Sequence, residues 1–326
     1  MEGNCTLGEW AEQLKRARRV AVFSHRSPDG DTIGSALSMR AALEGLGKEV
    51  KLVCDGIIPS SLAFLPGTKD FIRPENWTEW PFDTGLAVDV STTDMLGSAA
   101  PIFQAAEVKL VLDHHETNPC FGDLNYIRGG ESSCCLLVYE VLRMLEIHIS
   151  REMGTCLLLG MSTDTGHFQF TNTSAATLRA AADLVEAGVN LPEIAERMYR
   201  TMPMRRMTLM QRAFASLHFP LGGKVAVLSL TQKDFEETGA EQSDSDGFVN
   251  MPLEVESVYI SVMLTEREGL IKASLRSKAP YVVNRIALAF GGGGHAQAAG
   301  CSFTGETMDS AERQILLQIA SSLEER

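Results

Sequence analysis

Histidines and aspartates recur in this chain at the ends of apolar runs. Residues 24–35 read SHRSPDGDTIGS and bring His25, Asp29 and Asp31 directly after Val20-Ala-Val-Phe23. Asp89 closes GLAVDV, Asp113-His114-His115 closes VKLVLDHH, and Asp164 follows CLLLGMSTDTG. Each cluster alone has an ordinary reading: Asp31 or Asp164 as a helix cap, Asp89 as a turn residue, His114 and His115 as surface polar groups. Together they would repel and desolvate one another unless cations compensated them. Two divalent ions would balance Asp29, Asp31, Asp89 and Asp164. Mixed imidazole and carboxylate ligation suits Mn²⁺ or another first-row ion, with Mg²⁺ and Co²⁺ as substitutes, better than an oxygen-only shell. No cysteine joins the set, which argues against structural zinc.

Such clusters need a scaffold that carries strand ends to one place. Val20–Phe23, Val50–Val53, Leu86–Val88 and Val108–Leu112 read as strands bounded by turn residues. TIGSALSMRAALEGLG between the first two, and segments near 131–147, 151–161 and 174–188, read as helices. Strand, helix, strand in repetition predicts an α/β domain with a mostly parallel sheet and helices on both faces, whose ligands bind beyond the carboxyl ends of the strands. Residues 190–216 change character, rich in Met and Arg and interrupted by Pro192 and Pro203. Strands at 225–228, 258–264 and 270–275 with helices near 280–290 and 307–324 then predict a smaller α+β domain. The expected division is 1–188, a connection at 189–216, and 217–326. The Met-rich stretch 198–210 suits core packing between the domains, the preferred reading, or a homodimer interface.

Composition bounds the rest. A formal charge of −13 over 326 residues excludes a broad basic face for duplex nucleic acid, while a short single-stranded phosphate ligand remains compatible with a local cluster. Seven cysteines without a C-x-x-C pair suit reduced thiols, and neither a signal peptide nor a membrane span is evident, so a soluble cytoplasmic protein is expected.

The order H-x-x-x-D-x-D, D, D-H-H, D resembles the DHH phosphoesterase superfamily, and GGGGHAQAAG at 291–300 resembles the glycine-rich signature of its DHHA1 domain. The resemblance spans nearly the whole chain and is nearest to the two-domain oligoribonuclease type, the nanoRNase and pAp-phosphatase proteins. It implies one metal held by His25, Asp29 and Asp89 and a second by Asp31, Asp89, His114 and Asp164, with Asp89 bridging. Asp113 would orient a ligand or neighbouring backbone. His115 would face the substrate phosphate, as hydrogen-bond donor or proton-transfer group. There is one departure: where the family carries a Ser-Ser-Thr-x-Glu-like run, this chain reads Glu131-Ser-Ser-Cys-Cys-Leu136, with Cys134 for threonine and Leu136 for glutamate.

In the second domain, GGGGH could be a flexible linker, but it precedes AQAAG, a small-residue helical start, where backbone amides can face an anion. Ser274-Leu-Arg276-Ser-Lys278 places alternate polar groups on one strand face. By resemblance Arg276 and His295 grip the terminal phosphate or nucleotide, and Arg276, Ser277, Gly293, Gly294 and His295 form the expected substrate-binding set. The implied activity is two-metal hydrolysis of short oligonucleotides or linear dinucleotides to mononucleotides, with action on 3′-phosphoadenosine 5′-phosphate. The rivals are a cyclic-dinucleotide phosphodiesterase, an exopolyphosphatase or pyrophosphatase, and a nucleotide sensor that does not hydrolyse.

Overall fold

Alternation along β1 (Arg19–Ser24) decides how the first half folds. Val20 and Val22 enter one core while Ala21 and Phe23 enter another. A strand apolar on both faces needs cover on both, the condition of a parallel sheet between helical layers. The computed structural model, which describes residues 3–324, has that architecture. Its first sheet runs β3 (Phe71–Ile72), β2 (Glu49–Cys54), β1, β4 (Thr84–Val88), β5 (Val108–Asp113), β6 (Leu124–Ile127), every pair parallel.

One face carries α1 (Leu7–Arg16), α2 (Gly30–Gly45), α4 (Cys134–Met144), α5 (Arg151–Asp164) and α6 (Ala175–Glu186), packed around Trp10, Ile33, Leu37, Leu137 and Leu158. The other face has a thinner cover of α3 (Ala100–Gln104) and 3-10 turns, where Phe23 and Phe103 meet edge to face at 5.4 Å. Strand order reverses between β1 and β4. Crossovers leave the two strands in opposite directions, opening a crevice at their carboxyl ends.

Two glycines let α2 and α5 approach closely at that crevice. A Cβ on Gly34 would lie 2.4 Å from the Cys156 carbonyl oxygen, and one on Gly160 would lie 2.3 Å from Cys135 Sγ and 2.9 Å from Asp31 Oδ1. The contact brings the end of α5 to the start of α2, and hence Asp164 to Asp31.

The chain divides into two compact units between Thr201 and Met202. The stretch 189–216 is therefore shared: α7 (Leu191–Ala195) and a π-helical turn at 196–200 belong to the first unit, and α8 (Met204–Ser216) to the second. Leu209 packs in a core of the second unit, whereas Met204 and Met207 stand exposed, so core packing does not account for the whole Met-rich stretch.

The second unit holds β7 (Val225–Leu230), α9 (Gln232–Thr238), β8 (Ile260–Arg267), β9 (Leu270–Ser277), α10 (Asn284–Ala289), β10 (Gly293–His295), β11 (Ala298–Thr304) and α11 (Met308–Glu324). Its sheet runs β10-β11-β9-β8-β7, with β7 parallel to β8 and the other pairs antiparallel. Here one expectation fails. AQAAG starts no helix; it turns β10 into β11. Alanine favours helix locally, but residues 298–304 alternate in burial with period two and pair along their whole length with β9, and that register overrides propensity.

Candidate metal centre

Each candidate side chain sits where an element ends. His25 follows β1, and the turn after it leads into α2, whose N-cap is Asp29: its Oδ1 accepts from the backbone N–H groups of Asp31 (3.0 Å) and Thr32 (3.1 Å). The cap is thus Asp29, not Asp31, which lies fully buried in the first turn of α2. Asp89 follows β4 with φ 58°, a left-handed conformation that a non-glycine residue rarely takes and that aims its carboxylate across the crevice. Asp113 ends β5, His114 and His115 follow, and Asp164 ends α5.

These groups converge. His25 Nε2 lies 3.5 Å from Asp89 Oδ2 and 3.7 Å from Asp29 Oδ1. His114 Nε2 lies 3.3 Å from Asp164 Oδ2, 3.4 Å from Asp89 Oδ1 and 3.8 Å from Asp31 Oδ2. Asp89 therefore stands between two donor groups, one of its oxygens facing each histidine. His25, Asp29 and Asp89 form one set able to hold an ion, and Asp31, His114 and Asp164 another.

Surrounding hydrogen bonds fix the orientations. His114 Nδ1 donates to the Glu131 carbonyl at 3.0 Å, which leaves Nε2 as the free ligand nitrogen. Asp31 Oδ2 and Oδ1 accept from the backbone N–H groups of Cys134 (2.6 Å) and Cys135 (2.8 Å), so the start of α4 cradles this carboxylate. His115 Nδ1 donates to Asp113 Oδ1 at 2.7 Å, and Asn118 Nδ2 donates to Asp113 Oδ2 at 2.7 Å and to the Val90 carbonyl at 3.0 Å. Asp113 holds the His115 ring, whose Nδ1 is thereby taken although it lies 3.8 Å from Asp89 Oδ1. Nothing in the sequence marks Asn118, because an amide in a polar loop has no periodicity to single it out.

Burial and charge set the protonation. Burial works to raise Asp89, but the hydrogen bonds and charges of His114 and His25 outweigh it and hold its carboxyl well below the usual range. Burial opposes the charge on His25 and His114, yet the facing carboxylates prevail and push the imidazoles to about 10 and about 11. Burial first, then neighbouring carboxylates, pushes Asp31 up to about 7 and Asp164 up to about 9. The hydrogen bond to Asp113 raises His115. Without cations the cluster compensates its carboxylates with protons.

The donor set fits divalent metal ions. Asp89 Oδ1 and His25 Nδ1 are buried without a hydrogen-bond partner, and an orphaned carboxylate oxygen at the middle of an imidazole and carboxylate cluster is what a shared cation would satisfy.

In the second unit, His295 pairs with Ala298 and Ala298 with Arg276 across β10, β11 and β9, which sets Arg276 and His295 on one face about 10 Å apart. Gly293, Gly294 and His295 are exposed. Ser277 does not share that face. Its alternation with Arg276 turns it inward, and its Oγ donates to the Tyr281 carbonyl at 2.7 Å.

Residues 19–161 match the N-terminal domain of the DHH family and residues 222–321 match the DHHA1 domain. The chain belongs to the DHH family. It is 33% identical, over 99% of its length and 98% of the relative's, to the bifunctional oligoribonuclease and PAP phosphatase NrnA of Thermus thermophilus. An exopolyphosphatase-related protein from Bacteroides fragilis superposes with a TM-score of 0.88 at 28% identity, covering 98% of this chain and 95% of that one. RecJ from Thermus thermophilus, solved with Mn²⁺, shares the fold at 16% identity with a TM-score of 0.54, covering 97% of this chain and 55% of RecJ. Among the described residues no helix is long and apolar enough to cross a membrane.

Proposed function

We propose that this chain, a phosphoester hydrolase of the DHH family, uses two divalent cations, Mn²⁺ by the chemistry of its donors, to cleave short single-stranded oligonucleotides into mononucleotides and to dephosphorylate 3′-phosphoadenosine 5′-phosphate. The observation that carries the reading is Asp89, whose two oxygens lie 3.5 and 3.4 Å from the ligand nitrogens of His25 and His114. His25, Asp29 and Asp89 would hold one ion; Asp31, Asp89, His114 and Asp164 the other. A bound pair supplies Lewis acidity, bringing a water's pKa to near 7 and neutralising charge on the phosphoryl oxygens.

The chain's own residues do the rest. Asp113 keeps the His115 proton on Nδ1, so Nε2 is the atom free to serve a phosphoryl or leaving oxygen. Arg276 offers its planar fork and His295 a ring nitrogen to a terminal phosphate, which selects substrates by their ends. The substrate class is supported by the name of the Thermus relative, which is similar to this chain from end to end. Pure protein with Mn²⁺ should convert 5′-phosphorylated di- to pentanucleotides to mononucleotides and 3′-phosphoadenosine 5′-phosphate to AMP. Absence of mononucleotide overturns the oligonucleotidase reading, and turnover confined to cyclic dinucleotide or polyphosphate replaces it.

A further inference from the structure

Directly beyond Asp164 the backbone does something the fold does not require. Gly166, His167 and Phe168 all have positive φ, at 55°, 58° and 65°. Two consecutive non-glycine residues in the left-handed region cost on the order of 1–2 kcal/mol each. The turn is closed by hydrogen bonds from His167 N to the Ser162 carbonyl (2.6 Å) and from Phe170 N to the Thr165 carbonyl (2.9 Å).

The turn presents rings. Its His167 imidazole is pinned by Ser162 Oγ at 2.9 Å from Nδ1 and lies 4.9 Å from the Tyr199 ring. The Tyr199 hydroxyl donates to the Ser162 carbonyl at 3.1 Å. Phe170 folds back over Gly166, where a Cβ would come within 2.4 Å of its ring. Asn172 Nδ2 donates to the carbonyls of Asp164 (3.1 Å) and Ser132 (3.2 Å), tying the far end of the loop to the metal centre. Yet Phe170 is 60% and Tyr199 43% exposed. A single exposed aromatic needs no explanation. Two of them, one folded over Gly166 and one against His167 of the same strained turn, which begins directly after a ligand candidate, do.

We propose that Phe170, on the turn that also carries His167 against Tyr199, is a stacking platform for a nucleobase of the substrate whose phosphate lies at the metal centre, and that it makes the enzyme prefer base-bearing substrates without reading base identity. The inference rests on the phosphoesterase reading above and specifies that site's substrate. A base is the occupant that fits: a planar π face meets rings, while the cations proposed for the adjoining carboxylates and imidazoles would take the phosphate that a nucleotide carries. Base–aromatic stacking is sequence-tolerant and worth about 1–3 kcal/mol per base, or roughly 5- to 150-fold.

The test uses the full-length protein and a 5′-phosphorylated dinucleotide carrying 2-aminopurine, whose fluorescence is quenched on stacking. With Ca²⁺ in place of Mn²⁺ to slow turnover, the wild type should quench it on binding. Phe170→Ala should abolish the quench and weaken binding about 5- to 150-fold, and Phe170→Trp should restore both. In Mn²⁺, the ratio of kcat/KM for the base-bearing dinucleotide over an abasic dinucleotide should collapse toward one in Phe170→Ala and recover in Phe170→Trp. Tyr199→Leu, which keeps bulk but removes the ring, should lower the same ratio. An unquenched wild-type complex, or a Phe170→Ala ratio equal to the wild type's, overturns the platform. Quenching without mononucleotide release sinks the oligonucleotidase reading while leaving the platform standing.

Discussion

Loading the centre with metal should expel protons in a countable number. In the metal-free protein at pH 7, the imidazoles of His25 (about 10) and His114 (about 11) and the carboxyl of Asp164 (about 9) each keep a proton. Ligation requires neutral imidazole and ionised carboxylate. Filling both positions therefore releases about three protons, one from each group, with a fraction more from Asp31, whose carboxyl is pushed up to about 7. By linkage the overall affinity for the pair rises about a thousandfold per pH unit near pH 7. Calorimetric titration of chelator-stripped protein with Mn²⁺ at pH 7, in buffers of different ionisation enthalpy, reads the number as a slope. His114→Asn should lower it by about one. A slope near zero would mean that the ions enter a site already deprotonated and would overturn this assignment of protons. The sign for stability follows. A group whose folded pKa is raised stabilises fully below its unfolded value and loses that contribution as pH climbs through the folded one. The ordinary values are 3.8 for Asp31 and Asp164 and 6.5 for His25 and His114, so the stripped protein should lose their contribution from about pH 4 upward, most steeply between about pH 6.5 and 9, and Mn²⁺ should flatten that slope.

Asn118→Ala removes a donor from Asp113 and should lower kcat about 10- to 100-fold with metal content unchanged, by steady-state kinetics and elemental analysis; an unaltered kcat would mean that Asp113 holds His115 unaided. Leu136→Glu restores the residue type the family resemblance leads one to expect, yet Leu136 is 1% exposed in the core around α4. An unpaired charge there should destabilise by about 3–5 kcal/mol in urea unfolding; near-native stability would mean that the core offers it a partner.

Much of the scaffold was legible because its signals are local. Val20–Phe23 and Val108–Leu112 are apolar runs of strand length, and the observed strands extend them by one or two residues. The parallel sheet with helices on both faces followed from their alternation with helical patterns. β3 has only two residues, too few for any period, and in β6 one of the two buried positions is the polar Asn125, which masks the alternation in the sequence. The β10–β11 hairpin was misread because alanine and glycine report propensity, whereas pairing with β9 is a long-range fact. Among the site residues, those at strand ends were visible as polar breaks in apolar runs. Asn118, His167 and Tyr199 were not, since each owes its place to a partner distant in sequence or to a backbone angle.

The departure at Glu131-Ser-Ser-Cys-Cys-Leu136 shows what the chain can change beside such a centre. Asp31 is held by the backbone N–H groups of Cys134 and Cys135, which any side chain leaves in place. What the local geometry needs is a start for α4 at that point, and Ser133 provides it by accepting from Leu136 N at 3.1 Å. Cys134 turns its thiol to the Leu112 carbonyl at 3.3 Å, and Leu136 faces the core, so neither side chain is asked to support a ligand. Helix amides soften the charge of two carboxylates, Asp29 at the start of α2 and Asp31 at the start of α4; Asp89 and Asp164 have no such cradle among the described hydrogen bonds. Their compensation falls to the protons of His25 and His114, and cations bound as proposed would take over that role by displacing them.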